Sequence, residues 1–147
     1  SLFAFGSKLS KILENADFIR YGVMHRNTFI NSSKLLNPTL NLKSDERFYF
    51  AGQITGSEGY MAAIATGYMA ATNIMNKLEG KEPFILDNRS SIGSIIEYIT
   101  EEKKDFQPMG PNFGIIRSLE GKRIKDKIER YNAISQIALE YIKSINN

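Results

Sequence analysis

The clearest hydrophobic pattern in the chain predicts a long helix over Met61–Leu78. Mostly apolar positions recur there at three- and four-residue spacing, which puts them on one helical face. They are Met61, Ile64, Ala65, Tyr68, Thr72, Met75 and Leu78. Much of the remaining surface is small, which suits close packing against a sheet or a ligand; these residues are Ala62, Ala63, Gly67, Ala70 and Ala71. Gly80 predicts the end of the helix.

The segment before this helix predicts a short strand that ends in a glycine-rich turn. Phe48–Ala51 is aromatic and apolar, as in a buried strand. The turn Gly52–Tyr60 contains Gly52, Gly56 and Gly59. Glycines let backbone approach a ligand closely, and the free N–H groups of a first helical turn attract anions. The unit is therefore a candidate dinucleotide cradle, although glycine turns also occur for packing alone.

Other patterns predict short strands and two further helices. Asp17–Met24 and Thr39–Lys43 alternate like strands. Ser90 or Ser91 can cap a helix with one isoleucine face, formed by Ile92, Ile95, Ile96 and Ile99. A last helix runs from about Lys122 to Ile145 with a continuous stripe of Ile124, Ile128, Tyr131, Ile134, Ala138, Tyr141 and Ile145.

The beginning of the last helix is rich in basic residues. Its cations are Lys122, Arg123, Lys125, Lys127 and Arg130, set against Asp126 and Glu129. A charge run of this kind is usually a solvated helix face. Clustered cations can alternatively bind RNA phosphates, in contacts that are salt-sensitive and independent of sequence. Both interpretations stay open at this point.

Composition removes several kinds of chemistry. The chain has 147 residues and no cysteine, which excludes disulfides, thiolate zinc sites and a cysteine nucleophile within it. Its net charge of +3 permits a polyanionic partner without requiring one. We find no metal-ligand motif, no signal peptide and no apolar run long enough for a bilayer, so we expect no membrane association and a cytoplasmic location.

Two polar or rigid segments admit both a structural and a functional interpretation. His25 is the only histidine and is followed by Arg26 and Asn27. Together they could line a pocket for a planar heterocycle or a carboxylate, but a lone histidine is more often solvated or bonded internally. The loop from Phe106 to Gly114, with two prolines and two glycines, is either a packing loop or a ligand-site wall, and packing is favoured.

Three stretches, in this order, resemble one enzyme family. They are Arg20–Asn31, Phe50–Tyr60 and Phe106–Met109 with Asn112–Gly114. They are similar to the folate- and FAD-dependent tRNA (uracil-5-)-methyltransferases, the TrmFO family. The glucose-inhibited division protein A type of tRNA modifier shares the glycine turn but is not expected to carry the other two stretches. Ser57 and Gly110-Pro111 depart from the usual family pattern, which leaves open a paralogue acting on rRNA.

The resemblance implies an α/β fold, the C-terminal part of an FAD-binding Rossmann-like flavoprotein domain with a helical C-terminal extension. We expect residues 1–87 to belong to the FAD-binding domain and 88–147 to form the extension packed on it. In such enzymes the N-terminal part supplies the Gly-x-Gly-x-x-Gly turn and the catalytic cysteine. We therefore place no catalytic residue in this chain and expect it to be inactive alone.

The resemblance also assigns ligands to residues. The flavin of FAD is expected at Gly52, Gln53, Ile54, Thr55, Gly56 and Tyr60. His25, Arg26 and Asn27 are candidates for the pocket of methylenetetrahydrofolate, and NAD(P)H would be the reductant. The RNA partner, tRNA or rRNA, would meet Lys122, Arg123, Lys125, Lys127 and Arg130. The alternative function is a non-catalytic basic module that holds structured RNA.

Overall fold

The computed structural model describes residues 27–116 and 124–145. Within these ranges the chain forms four α-helices, α1 (Ser32–Leu35), α2 (Tyr60–Leu78), α3 (Ser91–Thr100) and α4 (Lys127–Ile145). A 3₁₀ turn spans Gly52–Thr55. The structure confirms the helix predicted over Met61–Leu78 and extends it by one residue. The strand predicted at 17–24 lies outside the described residues.

One hydrophobic cluster joins α2, α3 and the loops around them. Its members are Leu40, Met69, Ala70, Leu86, Ile95, Ile96, Ile99 and Phe106. Because these isoleucines of α3 are almost fully buried, each stabilises the fold by about 1.5–3 kcal/mol relative to an exposed position. The cluster draws on both sides of residue 87, where the sequence predicted a domain boundary; that boundary stays a prediction.

Most of the large apolar residues of α2 are exposed, and mainly small or polar residues of this helix are buried. The buried face carries mainly small or polar residues, namely Ala62, Thr66, Met69, Ala70 and Asn73. The stripe of large apolar residues lies on the solvent side, where Met61 is 76%, Ile64 66% and Tyr68 63% exposed. Of the small residues singled out in the sequence, Ala62 and Ala70 lie on the buried face, whereas Ala71 is exposed. The apolar stripe has no cover from the described residues.

The strands predicted at Thr39–Lys43 and Phe48–Ala51 are present only as short extended segments. Backbone pairing around them consists of the isolated bridges Leu36–Leu42 and Asn41–Tyr49, both antiparallel, and Ser57–Met109, which is parallel. Within the described ranges no bridge extends into a named strand. A strand is stable only beside neighbours that complete its hydrogen-bond ladder, and single bridges do not supply them. The α/β class is therefore not confirmed and stays a prediction.

The ends of α3 and α4 are held by specific polar contacts. The Ser90 side chain caps α3 by accepting a hydrogen bond from the Gly93 N–H at 2.9 Å, which decides between the two predicted caps. The Tyr141 hydroxyl accepts a hydrogen bond from the Asp87 N–H at 2.9 Å. Arg89 lies over the same tyrosine ring, with its Cζ 4.4 Å from the centroid. These contacts fasten α4 to the start of α3.

No helix in the part of the chain that the structure describes combines the length and the apolar character needed to cross a bilayer.

Candidate functional site

The turn Gly52–Tyr60 has a backbone that depends on glycine. Gly52, Gly56 and Gly59 have φ angles of +74°, +79° and +98°. A residue with a side chain adopts a positive φ of this kind only at a cost of roughly 1–3 kcal/mol at each position. Gly56 closes the 3₁₀ turn by donating its N–H to the Gln53 carbonyl at 2.9 Å. The glycines therefore allow the tight backbone path between the extended Ala51 and the first residue of α2.

Three hydroxyl groups fix the inside of this turn. Thr55 Oγ1 and Ser57 Oγ both donate to the Gly52 carbonyl, at 2.7 and 3.0 Å. At the other end of the same residue, the Gly52 N–H donates to Thr66 Oγ1 at 2.8 Å. Thr55, Ser57 and Thr66 are all fully buried. Gly52 is thus bonded through both its N–H and its C=O, and its orientation is set by side chains.

The segment after Asn27 packs against the turn from one side. The Ile30 N–H donates to the Ile54 carbonyl at 2.9 Å. The buried Ser32 hydroxyl donates to the Thr55 carbonyl at 2.7 Å. Asn27 itself is half-buried at the beginning of this segment. The described end of the first stretch of the family resemblance, residues 27–31, is therefore adjacent in space to the second stretch.

The loop that begins at Phe106 packs against the turn from the other side. The Met109 N–H donates to the Gly56 carbonyl, and the Glu58 N–H donates to the Met109 carbonyl, both at 2.9 Å. The Phe106 ring meets Phe29 edge to face, with centroids 6.0 Å apart. The loop thus packs as the sequence favoured, and it also forms one wall of the candidate site.

The outer side of the turn is open. Gln53 is exposed, and Tyr60 is 91% exposed. Gly59 precedes α2 without any side-chain cap. The N–H groups of the first turn of α2 therefore keep their capacity to bind an anion, and the positive end of the helix dipole favours one there. Chemically, this arrangement can hold a planar or anionic group against backbone donors.

The predicted site residues separate into three groups. Gly52, Gln53, Ile54, Thr55, Gly56 and Tyr60 lie together in the turn. Lys125, Lys127 and Arg130 lie just before and within the first turn of α4. The other four, His25, Arg26, Lys122 and Arg123, lie outside the described residues.

Sequence reasoning missed two residues that hold the turn from neighbouring helices, Ser32 and Thr66. The sequence pattern assigns Ser32 to a connecting segment, but its hydroxyl bonds the turn from the first residue of α1. Thr66 lies within a helix of small residues, where it does not stand out. A hydroxyl among alanines on the packed face of a helix is nevertheless a signal, because a buried hydroxyl needs a hydrogen-bond partner.

Comparison with known proteins gives both a family and a set of relatives. The family model for glucose inhibited division protein A matches residues 7–82. A protein from Fusobacterium nucleatum is 65% identical over 132 residues, 90% of this chain and 30% of the relative. One from Streptococcus uberis is 47% identical over 136 residues, which are 92% of this chain and 31% of the relative. One from Staphylococcus carnosus is 49% identical over 134 residues, which are 90% of this chain and 30% of the relative.

All three relatives bear the same name, methylenetetrahydrofolate–tRNA-(uracil-5-)-methyltransferase TrmFO. The chain spans about 30% of their length. The matches include the glycine turn and the loop that packs on it, so the resemblance drawn from the sequence motifs is confirmed. The chain belongs to the glucose inhibited division protein A family, and within that family it is similar to the TrmFO proteins.

Proposed function

We propose that the chain is the part of a methylenetetrahydrofolate- and FAD-dependent tRNA (uracil-5-)-methyltransferase that closes the flavin site. The relatives' shared name supports the reaction, and membership of a flavoprotein family supports FAD. The observation that carries the proposal is the geometry of the Gly52–Tyr60 turn. Its inner side is fixed by buried hydroxyls, and its outer side presents exposed backbone at an uncapped helix start.

The turn fits one side of a flavin. A Cβ at Gly59 would meet nothing within 4 Å, so space remains where a ligand would approach, whereas Gly56 is closed by Phe106 on the protein side. The first N–H groups of α2 would stabilise negative charge on the ring system. When bound, FAD would supply the redox and one-carbon chemistry, with NAD(P)H as reductant and methylenetetrahydrofolate as carbon donor.

The residues of this chain would bind and orient. Gln53 has an exposed amide that can hydrogen-bond a heterocycle edge, and the exposed Tyr60 ring can cover its face. Thr55 has its side chain committed within the turn, so it would act by holding backbone in place. His25, Arg26 and Asn27 stay candidates for the folate pocket. We place the cysteine chemistry outside this chain, because it contains no cysteine.

The exposed stripe of α2 supports the idea that this chain completes a larger domain. Leu78 is 79% exposed at the far end of the helix, and Met61, Ile64 and Tyr68 continue the stripe towards the turn. An apolar surface along a whole helix is typical of an interface. We infer that it packs on the portion of the relatives' length that this chain does not span, which would carry the rest of the FAD site.

A chimera tests the proposal directly. In it, this chain replaces the matching 132 residues of the Fusobacterium nucleatum relative. We expect the chimera to keep a yellow flavin through gel filtration. It should methylate a tRNA transcript at uracil C5 when given methylenetetrahydrofolate and NAD(P)H. The 147-residue chain alone should give no turnover. A folded chimera that is colourless and inactive would contradict the proposal, as would methylation by the chain alone.

One observation favours a second function, a non-catalytic RNA-binding module. We propose a cytoplasmic location for either function. In the described part of the chain, Lys125, Lys127 and Arg130 form no ion pair with a carboxylate. The two functions separate experimentally. Salt-dependent retention of tRNA by a folded but flavin-free chimera would support the module. Methylation of an rRNA transcript in place of tRNA would support the paralogue.

A further inference from the structure

A groove runs between α4 and the loop of residues 111–116. Its volume is about 490 Å³, within the usual range for ligand pockets. Its walls are almost entirely apolar, with Pro111 and Phe113 on the loop side and Ile134, Ala138 and Leu139 on the helix side. The groove shares none of these residues with the glycine turn.

One end of the groove is an ordered aromatic pair. Phe113 and Tyr131 are stacked with ring centroids 4.3 Å apart and planes inclined by 14°. Stacking on Tyr131 fixes the plane of Phe113, while 39% of Phe113 remains exposed. A ring held in this way offers a flat surface to a second flat group, at little further cost in side-chain entropy.

Two cations accompany the aromatic pair. Lys127 Nζ and Arg130 Cζ lie 5.6 and 5.5 Å from the centroid of Tyr131. Elsewhere in the described ranges five cations sit in ion pairs; these are Arg47, Lys77, Lys81, Arg89 and Lys103. Lys127 and Arg130 have no such carboxylate among the described residues, so their charge can serve an external anion.

Two serines, Ser91 and Ser135, also line the groove. Among the described residues neither hydroxyl makes a hydrogen bond; the side-chain contact that Ser91 receives is at its carbonyl, which accepts from Ser94. The site therefore combines a flat aromatic wall, apolar sides, free hydroxyls and unpaired cations at one end. A purely apolar peptide would leave the cations and hydroxyls unused.

We infer that this groove binds an unpaired base of the RNA. The base would stack on Phe113, its polar edge would face the serine hydroxyls, and a flanking phosphate would meet Lys127 and Arg130. Stacking suits any base, and cations suit any phosphate, so the contact holds single-stranded RNA with little sequence preference. The inference rests on the proposed function, because it names the surface by which that same enzyme holds its RNA.

Binding of a fluorescent oligouridine to the 147-residue chain tests the inference, with an unmodified tRNA transcript as the second probe. Phe113→Ala should raise Kd by about 5- to 150-fold while leaving the salt dependence unchanged, because stacking contributes about 1–3 kcal/mol per base. Phe113→Tyr keeps the ring and should bind like the unaltered chain. This second variant guards against a loss of binding that arises only from misfolding.

The charge contacts are tested by salt titration. Lys127→Gln and Arg130→Gln should each lower the slope of log K against log salt by about 0.7, the value for one phosphate contact on a single strand. Two controls match these variants. Phe48 is an exposed phenylalanine beside Arg47, away from the groove, so Phe48→Ala should leave binding unchanged. Lys143→Gln, at the other end of α4, should do the same.

Two results would overturn the inference. One is unchanged oligouridine binding by a folded Phe113→Ala chain. The other is a chimera in which Phe113→Ala loses flavin but keeps RNA, which would make the groove an internal packing surface. A chimera that neither binds flavin nor methylates, but whose RNA binding still depends on Phe113, would contradict the proposed enzyme function. It would still support RNA binding in the groove.

Discussion

Phe106 lies so close to Gly56 that no side chain can be added between them. An ideal Cβ built on Gly56 would stand 2.6 Å from the Cζ atom of the Phe106 ring. The glycine also has a φ of +79°, a backbone conformation that other residues seldom adopt. Two independent constraints, one on the backbone and one on space, therefore act at the same residue of the turn.

Gly56→Ala should accordingly destabilise the protein by about 2–5 kcal/mol, the sum of backbone strain and overpacking. Chemical denaturation of the chain measures this. Gly59→Ala separates the two causes, because Gly59 also has a positive φ but a Cβ added there would meet nothing within 4 Å. Its ψ of 152° lies outside the left-handed helical region, in a conformation that is almost restricted to glycine, so we expect a loss of about 1–3 kcal/mol from backbone strain alone.

Gly67→Ala is the matched control for both variants. Gly67 lies within α2, where a Cβ would meet nothing within 4 Å. Alanine should stabilise the helix there by about 0.5–1 kcal/mol. Equal stability of all three alanine variants would contradict the prediction, because it would show that neither the positive φ values nor the Phe106 contact affects the free energy of unfolding.

Thr66→Val should loosen the turn without changing the volume of the core. The valine removes the hydroxyl that accepts the Gly52 N–H, and it leaves that N–H without its partner. An unsatisfied buried donor costs about 1–3 kcal/mol. Thr66→Ser keeps the hydroxyl and should lose less. Denaturation gives the stability, and flavin retention by the chimera shows whether the turn keeps its shape.

Ser90→Ala should cost about 0.5–2 kcal/mol, the usual effect of losing an N-cap. Its hydroxyl is the group that accepts the Gly93 N–H at the start of α3. Ser91→Ala is the neighbouring control, since Ser91 is exposed and its hydroxyl makes no hydrogen bond in the described part of the chain. Equal stability of the two variants would show that Ser90 is not the cap.

Asp87 predicts a dependence of stability on acid pH. A hydrogen bond from the Arg89 guanidinium holds the pKa of Asp87 below its ordinary value of 3.8. Because the folded-state pKa is the lower one, the contribution is complete above pH 3.8 and is lost as pH falls through the folded-state value. Asp87→Asn should therefore flatten the fall in unfolding free energy between neutral and acidic pH.

The effect should be small, because about half of the side-chain surface of each partner is exposed. Tyr141→Phe provides a comparison at the same contact. It removes the acceptor of the Asp87 N–H and should lower stability by about 0.5–1.5 kcal/mol at every pH. An unchanged acid slope in Asp87→Asn would contradict the assignment.

Helices were the part of the fold that sequence patterns predicted well. The period of α2, the cap of α3 and most of the stripe of α4 are local properties, and local spacing is enough to reveal them. The predicted start of the last helix was wrong for residues 124–126, which are not helical, because α4 begins at Lys127. Which face of α2 is buried was harder to predict. Apolar periodicity marks a face that needs cover, but it does not say whether this chain supplies the cover, and the described residues cover the small face instead.

The sequence predicted the glycine turn of the candidate site, but it did not predict the hydrogen bonds that hold this turn in place. The three glycines were evident because positive φ leaves a residue-type signature. The contacts of Ser32, Thr66 and Met109 with the turn were not evident, because each joins segments far apart in sequence. Sequence spacing carries no information on such pairs unless a family resemblance brings the segments together.

The pairing of Ser57 with Met109 has a consequence for the order of folding. The α2 helix can form early from local contacts, as helices do. The turn in front of it cannot reach its final geometry until the chain has passed through α3 and returned. Closing this large loop is entropically costly and slow. We expect nascent chains that end before Met109 to contain the helix but to lack the final geometry of the Gly52–Tyr60 turn.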